Sequence, residues 1–213
     1  MNQEFWDELY GRSEQLFSGL PNDVLIAEVA DLPAGRALDV GCGEGADARW
    51  LAERGWQVTA VDVSRVALER ARATHPDVRW THTDLTATPP APRSFDLVSA
   101  HYFPIEHEPD HATVRGLLDA VAPGGTLLFV AHDPADFPPD HHHEHHFDPH
   151  AYYLPADIVE LFDNSWTVRV HETRDRTRPG PPGTHHVRDM VLRAYRTDRP
   201  ISDRSPGASI PER

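Results

Sequence analysis

From Arg36 onward the chain alternates short apolar runs with helical patterns, and that alternation constrains the fold more than any other feature. Arg36 to Val40 is an apolar run followed by glycines, and Ala46 to Arg54 carries a helical pattern that stops at Gly55. Gln57 to Val61 is rich in β formers, and Ser64 caps a helix expected to run to about Ala73. Val78 to His82 and Phe95 to Ala100 are the third and fourth strands. A helix follows with Val114, Leu117, Leu118 and Val121 on one face, Pro123-Gly124-Gly125 breaks it, and Thr126 to Ala131 is the fifth strand. Strands alternating with helices imply right-handed βαβ crossovers and hence a parallel sheet. Pro155 to Phe162 starts another helix. Trp166 to His171 and Val187 to Tyr195 are β-like with no helix between them, only the proline- and glycine-rich stretch 178–183, so a hairpin is expected. Ahead of the first strand, residues 2–10 and 22–32 read as short helices joined by a turn-rich stretch.

A chain of 213 residues suits one globular domain. Its formal net charge of -14 argues against a nucleic-acid partner, whose phosphates need a basic footprint. There is no lysine, which excludes a Schiff-base lysine and a phosphate-loop lysine. Cys42 is the single cysteine, so no intrachain disulfide forms. The first 30 residues lack the apolar stretch of a signal peptide, and no apolar run is long enough to cross a membrane. A soluble cytoplasmic protein is the expectation, and the sequence is silent on oligomeric state.

The run Leu38-Asp39-Val40-Gly41-Cys42-Gly43-Glu44-Gly45 follows a strand and opens a helix. Glycines let such a turn approach a ligand closely, and the helix start offers free N–H groups to an anion. Asp62 ends the next strand, where a carboxylate can accept both hydroxyls of a ribose. A dinucleotide enzyme shares much of this pattern, since Gly41, Gly43 and Ala46 satisfy G-x-G-x-x-A with an acid about 20 residues on. Three features separate the two readings. Asp39 is an acid that nicotinamide proteins do not need. Asp84 follows the third strand, where a polar group can meet an adenine. A dehydrogenase would also need a second domain, for which this chain has no room, or a tyrosine–lysine pair, for which it has no lysine.

Leu38 to Gly45 resembles motif I of the class I S-adenosylmethionine-dependent methyltransferases. Val61-Asp62 resembles motif II, and Thr83-Asp84-Leu85 the adenine-contacting segment. Phe95-Asp96-Leu97-Val98 and Pro123-Gly124-Gly125 resemble the motifs of strand 4 and of the approach to strand 5. The resemblance implies a Rossmann-like α/β fold: a seven-stranded, mostly parallel sheet in the order 3-2-1-4-5-7-6, strand 7 antiparallel, with helices on both faces. It implies S-adenosyl-L-methionine as cofactor and a small-molecule methyl acceptor. Asp39 lies in motif I, and Gly41, Cys42 and Gly43 would line the methionine moiety. Asp62 would bind the ribose hydroxyls, Val63 would pack on the adenine, Asp84 and Leu85 would close its far side, and Ala100 would meet the sulfonium. Taken as structural residues instead, Asp62 is a helix N-terminal acid and Asp84 a turn residue.

Phe5-Trp6-Asp7-Glu8-Leu9-Tyr10 and Phe17 to Asn22 resemble the lid of the thiol, thiopurine and tellurite-resistance methyltransferases. That resemblance places Trp6, Tyr10 and Phe17 over the cofactor and favours a thiol, metalloid or other heteroatom acceptor. Trp6 and Tyr10 lie one helical turn apart, which serves a hydrophobic anchor equally well. The domain organisation expected is a helical lid over 1–34, a methyltransferase domain over 35–196 with a histidine-rich loop at 132–155, and a disordered tail over 197–213.

Methyl transfer needs alignment and water exclusion, and a base only for a hard nucleophile. His101, Tyr102 and His132 follow strands 4 and 5, where this fold puts its active site, and are the catalytic candidates. The stretch Ser99-Ala100-His101-Tyr102-Phe103 departs from the Asn-Pro-Pro-Tyr signature of nucleic-acid amino methyltransferases. Cys42 sits inside motif I and reads as lining, not nucleophile. Of the 15 histidines, seven fall between His132 and His150. Imidazoles suit a divalent transition metal, with His141, His143, His145 and His146 as candidate ligands. A solvated loop and a cover over the substrate are the other two readings of that stretch. A metal-binding or metal-responsive protein on the same scaffold is the rival to the enzyme.

Overall fold

A computed structural model of the chain describes residues 2–136, 148, 151–178 and 186–197. Its centre is a seven-stranded sheet in the order β3-β2-β1-β4-β5-β7-β6. The strands are β1 (Arg36–Val40), β2 (Gln57–Asp62), β3 (Arg79–His82), β4 (Phe95–His101), β5 (Val121–His132), β6 (Trp166–Asp175) and β7 (Arg188–Arg196). β1 to β5 run parallel, and β7 is antiparallel to both β5 and β6. The helices are α1 (Gln3–Gly11), α2 (Asp23–Val29), α3 (Ala46–Ala52), α4 (Arg65–Thr74), α5 (Ala112–Ala120) and α6 (Pro155–Glu160). The fold expected from the resemblance is the fold observed: that of the class I methyltransferases.

Successive strand residues point to opposite faces, and the core divides accordingly. Leu38, Val98, Leu127 and Phe129 pack with Val114 and Leu117 of α5 and Ile158 of α6. Ala37, Leu97, Leu128 and Val130 pack on the other side with Leu25 of α2 and Leu51 of α3. Near-continuous apolar strands are the signature of a sheet covered on both faces.

Two strand boundaries differ from expectation. The Pro123-Gly124-Gly125 stretch does not separate helix from strand but lies inside β5. Phe95 pairs with Val121 and Leu97 with Thr126, so the residues between them bulge out of the ladder. A side chain at Gly125 would come within 2.9 Å of two carbonyl oxygens, those of Ala122 and Phe95. β6 runs four residues past His171, because Arg174 pairs with Asp189 and Asp175 with Arg188 in the expected hairpin. As an edge strand facing water it is polar there, which hides it from a hydrophobicity pattern.

Candidate active site

The carboxyl ends of β1, β2, β4 and β5 open on a cavity of about 1000 Å³, roofed by the N-terminal segment and flanked by the start of β7. At its floor the β1 turn takes left-handed backbone at Gly41 (φ 65°) and Gly43 (φ 52°). A Cβ on Gly41 would sit 2.6 Å from the Phe103 ring, and one on Gly43 would sit 2.6 Å from the Tyr10 hydroxyl. Only glycine satisfies both demands. Asp62 ties this turn to the next crossover. Its Oδ2 accepts the Gly43 N–H at 2.8 Å, and its Oδ1 accepts the Ser64 N–H at 2.7 Å. Burial pushes the Asp62 carboxyl up against the pull of those hydrogen bonds. Asp39 is deeper still, with Oδ2 buried and unpartnered, and burial beside Asp47 and Asp62 drives its pKa well above the usual carboxylate range. Burial also pushes the Cys42 thiol up, so it stays protonated, which suits a lining residue and not a nucleophile.

The N-terminal segment is anchored over this floor by charge-assisted hydrogen bonds. Asp7 accepts from the Ser64 hydroxyl at 2.7 Å and the Val66 N–H at 3.2 Å, pinning α1 to the start of α4. Glu44 accepts from the Leu16 and Phe17 N–H groups and from Arg70 at 2.8 Å. Arg70 in turn donates to the Tyr10 and Ser13 carbonyls. Tyr10 is thereby buried between Trp6 and Phe17, with ring centroids 6.2 and 6.0 Å away. Glu44→Ala removes the hub of this clasp and is expected to raise the rate of limited proteolysis within the first 22 residues severalfold. An unchanged rate would mean that Arg70 and Asp7 suffice.

At the opposite end, Tyr102 takes left-handed backbone (φ 54°), costly for a residue with a side chain. Its hydroxyl donates to Asp189 at 2.9 Å and accepts from Arg176 at 2.8 Å, and Arg176 also donates to Asp189 at 2.8 Å. Its ring stacks on His132 at 4.3 Å, and His132 stacks on His186 at 3.6 Å. Both faces of His132 are covered. Burial, with His186 and Arg176 beside it, lowers His132 to about 3. His101 is buried with both ring nitrogens unpartnered, and burial lowers its pKa too. Both imidazoles are neutral at neutral pH.

The cavity brings together Trp6, Tyr10 and Phe17, the β1-turn residues Asp39, Gly41, Cys42 and Gly43, the β2 pair Asp62 and Val63, and His101, Tyr102 and His132. Three candidates stand apart from its lining. Asp84 is exposed and uses Oδ1 to cap its own turn at Thr86. Leu85 and Ala100 are core residues. Sequence reasoning missed Glu44, Arg70, Arg176 and Asp189. Of these, β5–β7 pairing sets Asp189 directly opposite His132, a register that no local pattern reveals. His141, His143, His145 and His146 lie outside the described residues, as does the tail beyond Thr197. Among the described residues, no three His, Cys, Asp or Glu side chains gather as metal ligands. No described helix is long and apolar enough to cross a membrane.

Residues 37–125 match the family model described as a methyltransferase domain. The chain is 39% identical over 118 residues to a trans-aconitate 2-methyltransferase of Rhizobium meliloti, a match covering 54% of this chain and 45% of that protein. It is 39% identical over 177 residues to a ubiquinone biosynthesis O-methyltransferase of Xanthomonas campestris, covering 79% of this chain and 61% of that one. The chain thus spans about half the length of the curated relatives it matches. Among solved structures, the N-methyltransferase NodS of Bradyrhizobium japonicum in complex with S-adenosyl-L-homocysteine superposes with a TM-score of 0.67. That alignment is 16% identical and covers 91% of this chain and 97% of that one. These likenesses agree with the methyltransferase fold; the thiol, thiopurine and tellurite-resistance group is not singled out by them.

Proposed function

We propose that this chain is an S-adenosylmethionine-dependent methyltransferase acting on a small-molecule nucleophile, a thiol, metalloid or other heteroatom. The observation that carries the reading is the acidic cradle at the cavity floor. Asp39, buried with an unpartnered oxygen, and Asp62, at the end of β2, face a space of about 1000 Å³ under three aromatic rings. A buried carboxyl oxygen is costly without a partner, and a cationic ligand with a ribose fits this set of acceptors. Asp62 holds the ribose hydroxyls, the Gly41–Gly43 turn and Asp39 hold the methionine end, Val63 packs on the adenine, and Trp6, Tyr10 and Phe17 close over the ligand as a lid. S-adenosylmethionine, when bound, supplies a methyl group on a sulfonium that needs no further activation. The chain's own residues align the acceptor and exclude water. His101, neutral and with free ring nitrogens, receives the acceptor's proton. Tyr102 and His132 form a rigid wall against which the acceptor lies.

Calorimetric titration tests this directly. S-adenosylmethionine and its demethylated product should each bind with micromolar affinity, whereas NAD should not. Binding of NAD in their place, or of neither adenosyl compound, would overturn the assignment.

A further inference from the structure

The acids lining the cavity outnumber its arginines, seven to three. Those three guanidiniums all lie towards the β6–β7 side and are all committed. Arg174 donates to Glu28 at 2.7 Å and to Glu172 at 3.5 Å. Arg176 holds Asp189 and the Tyr102 hydroxyl. Arg178 grips Asp23 through two nitrogens and also donates to the Pro21 carbonyl. There is no lysine anywhere in the chain. His101 and His132 carry no charge at neutral pH. A carboxylate entering this end meets no free cation among the described residues. It must also approach Asp189 and Asp23, and taking Arg176 away from the buried Asp189 strands that carboxylate, while Asp23 is half-buried and repels the newcomer directly.

Resting on the methyltransferase reading above, we infer that the acceptor is an uncharged or cationic nucleophile, and that the Arg176–Asp189 and Arg178–Asp23 pairs exclude acceptors bearing carboxylates. Specificity here comes from repulsion as well as attraction. The buried groups left without hydrogen-bond partners on this side of the site include the neutral imidazoles of His101 and His132, which suit a hydroxyl, thiol or amine with a proton to give. In the transfer, the acceptor's lone pair forms the new bond to the methyl carbon and the C–S pair returns to sulfur. The acceptor's proton passes to a His101 ring nitrogen and from there to water. The relative acting on trans-aconitate, a polyanion, would differ from this chain in acceptor charge.

The test uses matched pairs that share a nucleophile and differ by a carboxylate. These are 4-methylphenol against 4-hydroxybenzoate, and 2-mercaptoethanol against mercaptoacetate, with trans-aconitate as a polyanion. The full-length chain and methyl-labelled S-adenosylmethionine are used, and binding of that compound is first verified by calorimetry. The uncharged member of a pair should have kcat/KM at least about tenfold higher. Asp189→Asn frees Arg176 while keeping an acceptor oxygen for Tyr102, and should shrink that ratio severalfold. Asp23→Asn does the same for Arg178, should the buried Asp189 variant not fold. Asp31→Asn, which removes one of the two carboxylates paired with Arg193 outside the cavity, should leave the ratio alone. Equal turnover within pairs, turnover confined to carboxylates, or no turnover of any uncharged probe would overturn the inference while leaving S-adenosylmethionine binding in place. Failure to bind S-adenosylmethionine would instead strike the reading on which the inference rests.

Discussion

Replacing Asp62 with alanine is expected to weaken S-adenosylmethionine binding by about a hundredfold or more, and calorimetry reads the loss. A hydrogen bond to a charged group contributes about 1.5–3 kcal/mol, and a ribose diol offers two. About 3 kcal/mol already corresponds to two orders of magnitude in Kd. The carboxylate is also the brace of the glycine turn, since Gly43 and Ser64 both donate to it. Two effects on the ligand-free protein therefore oppose each other. Alanine leaves two buried amides unpaired, which destabilises, and removes a carboxyl whose pKa burial has raised, which relieves a cost. The melting temperature should move little while affinity collapses. Asp62→Asn, which keeps one acceptor oxygen, should fall between alanine and the native residue. Unchanged affinity in the alanine variant would place the ribose elsewhere.

The same residue illustrates what a sequence pattern carries. Asp62 was legible because a strand end, a glycine turn and a spacing of about 20 residues recur together, and each is set by local chemistry. The β1 to β5 alternation was legible because buried parallel strands are apolar throughout. Trp6, Tyr10 and Phe17 were nameable as a cover, but their anchoring through Glu44 and Arg70 was not, since residues 10, 16, 17, 44 and 70 meet only in the folded chain. Asp189 and Arg176 were hidden for a related reason. They sit around a hairpin whose reach depends on polar edge pairing, and β6 offers no apolar alternation to announce its length. Asp84 matches a motif by position, yet its carboxylate is spent on its own turn at Thr86. Motif register locates a residue along the chain, whereas the hydrogen bonds within reach determine what its side chain does.

Asp39→Asn is expected to act in opposite directions on stability and on binding. An unfolded aspartate titrates near about 3.9. In the folded chain, burial first, and then Asp47 and Asp62, raise Asp39 well above that value. The folded protein thus holds this proton more tightly than the unfolded one. The stability contribution is full below the unfolded value and is lost as pH rises through the folded one. The ligand-free chain should therefore lose melting temperature as the pH climbs from about 4, and Asp62, raised in the same direction, adds to the slope. Asparagine keeps the shape of the protonated acid and has no charge to bury. The variant should melt higher than the native chain at neutral pH and show a shallower pH slope. An unaltered slope would mean that Asp39 does not titrate in this range. The same substitution deletes the anion that meets the cationic end of S-adenosylmethionine. Removing one member of a buried ion pair costs about 3–5 kcal/mol, so affinity should drop by about a hundredfold or more. A carboxyl buried with one oxygen unpartnered opposes folding in the ligand-free chain, even with the Ala48 N–H bonded to it. A variant more stable without ligand and poorer at binding it would identify Asp39 as a charge retained for the cofactor.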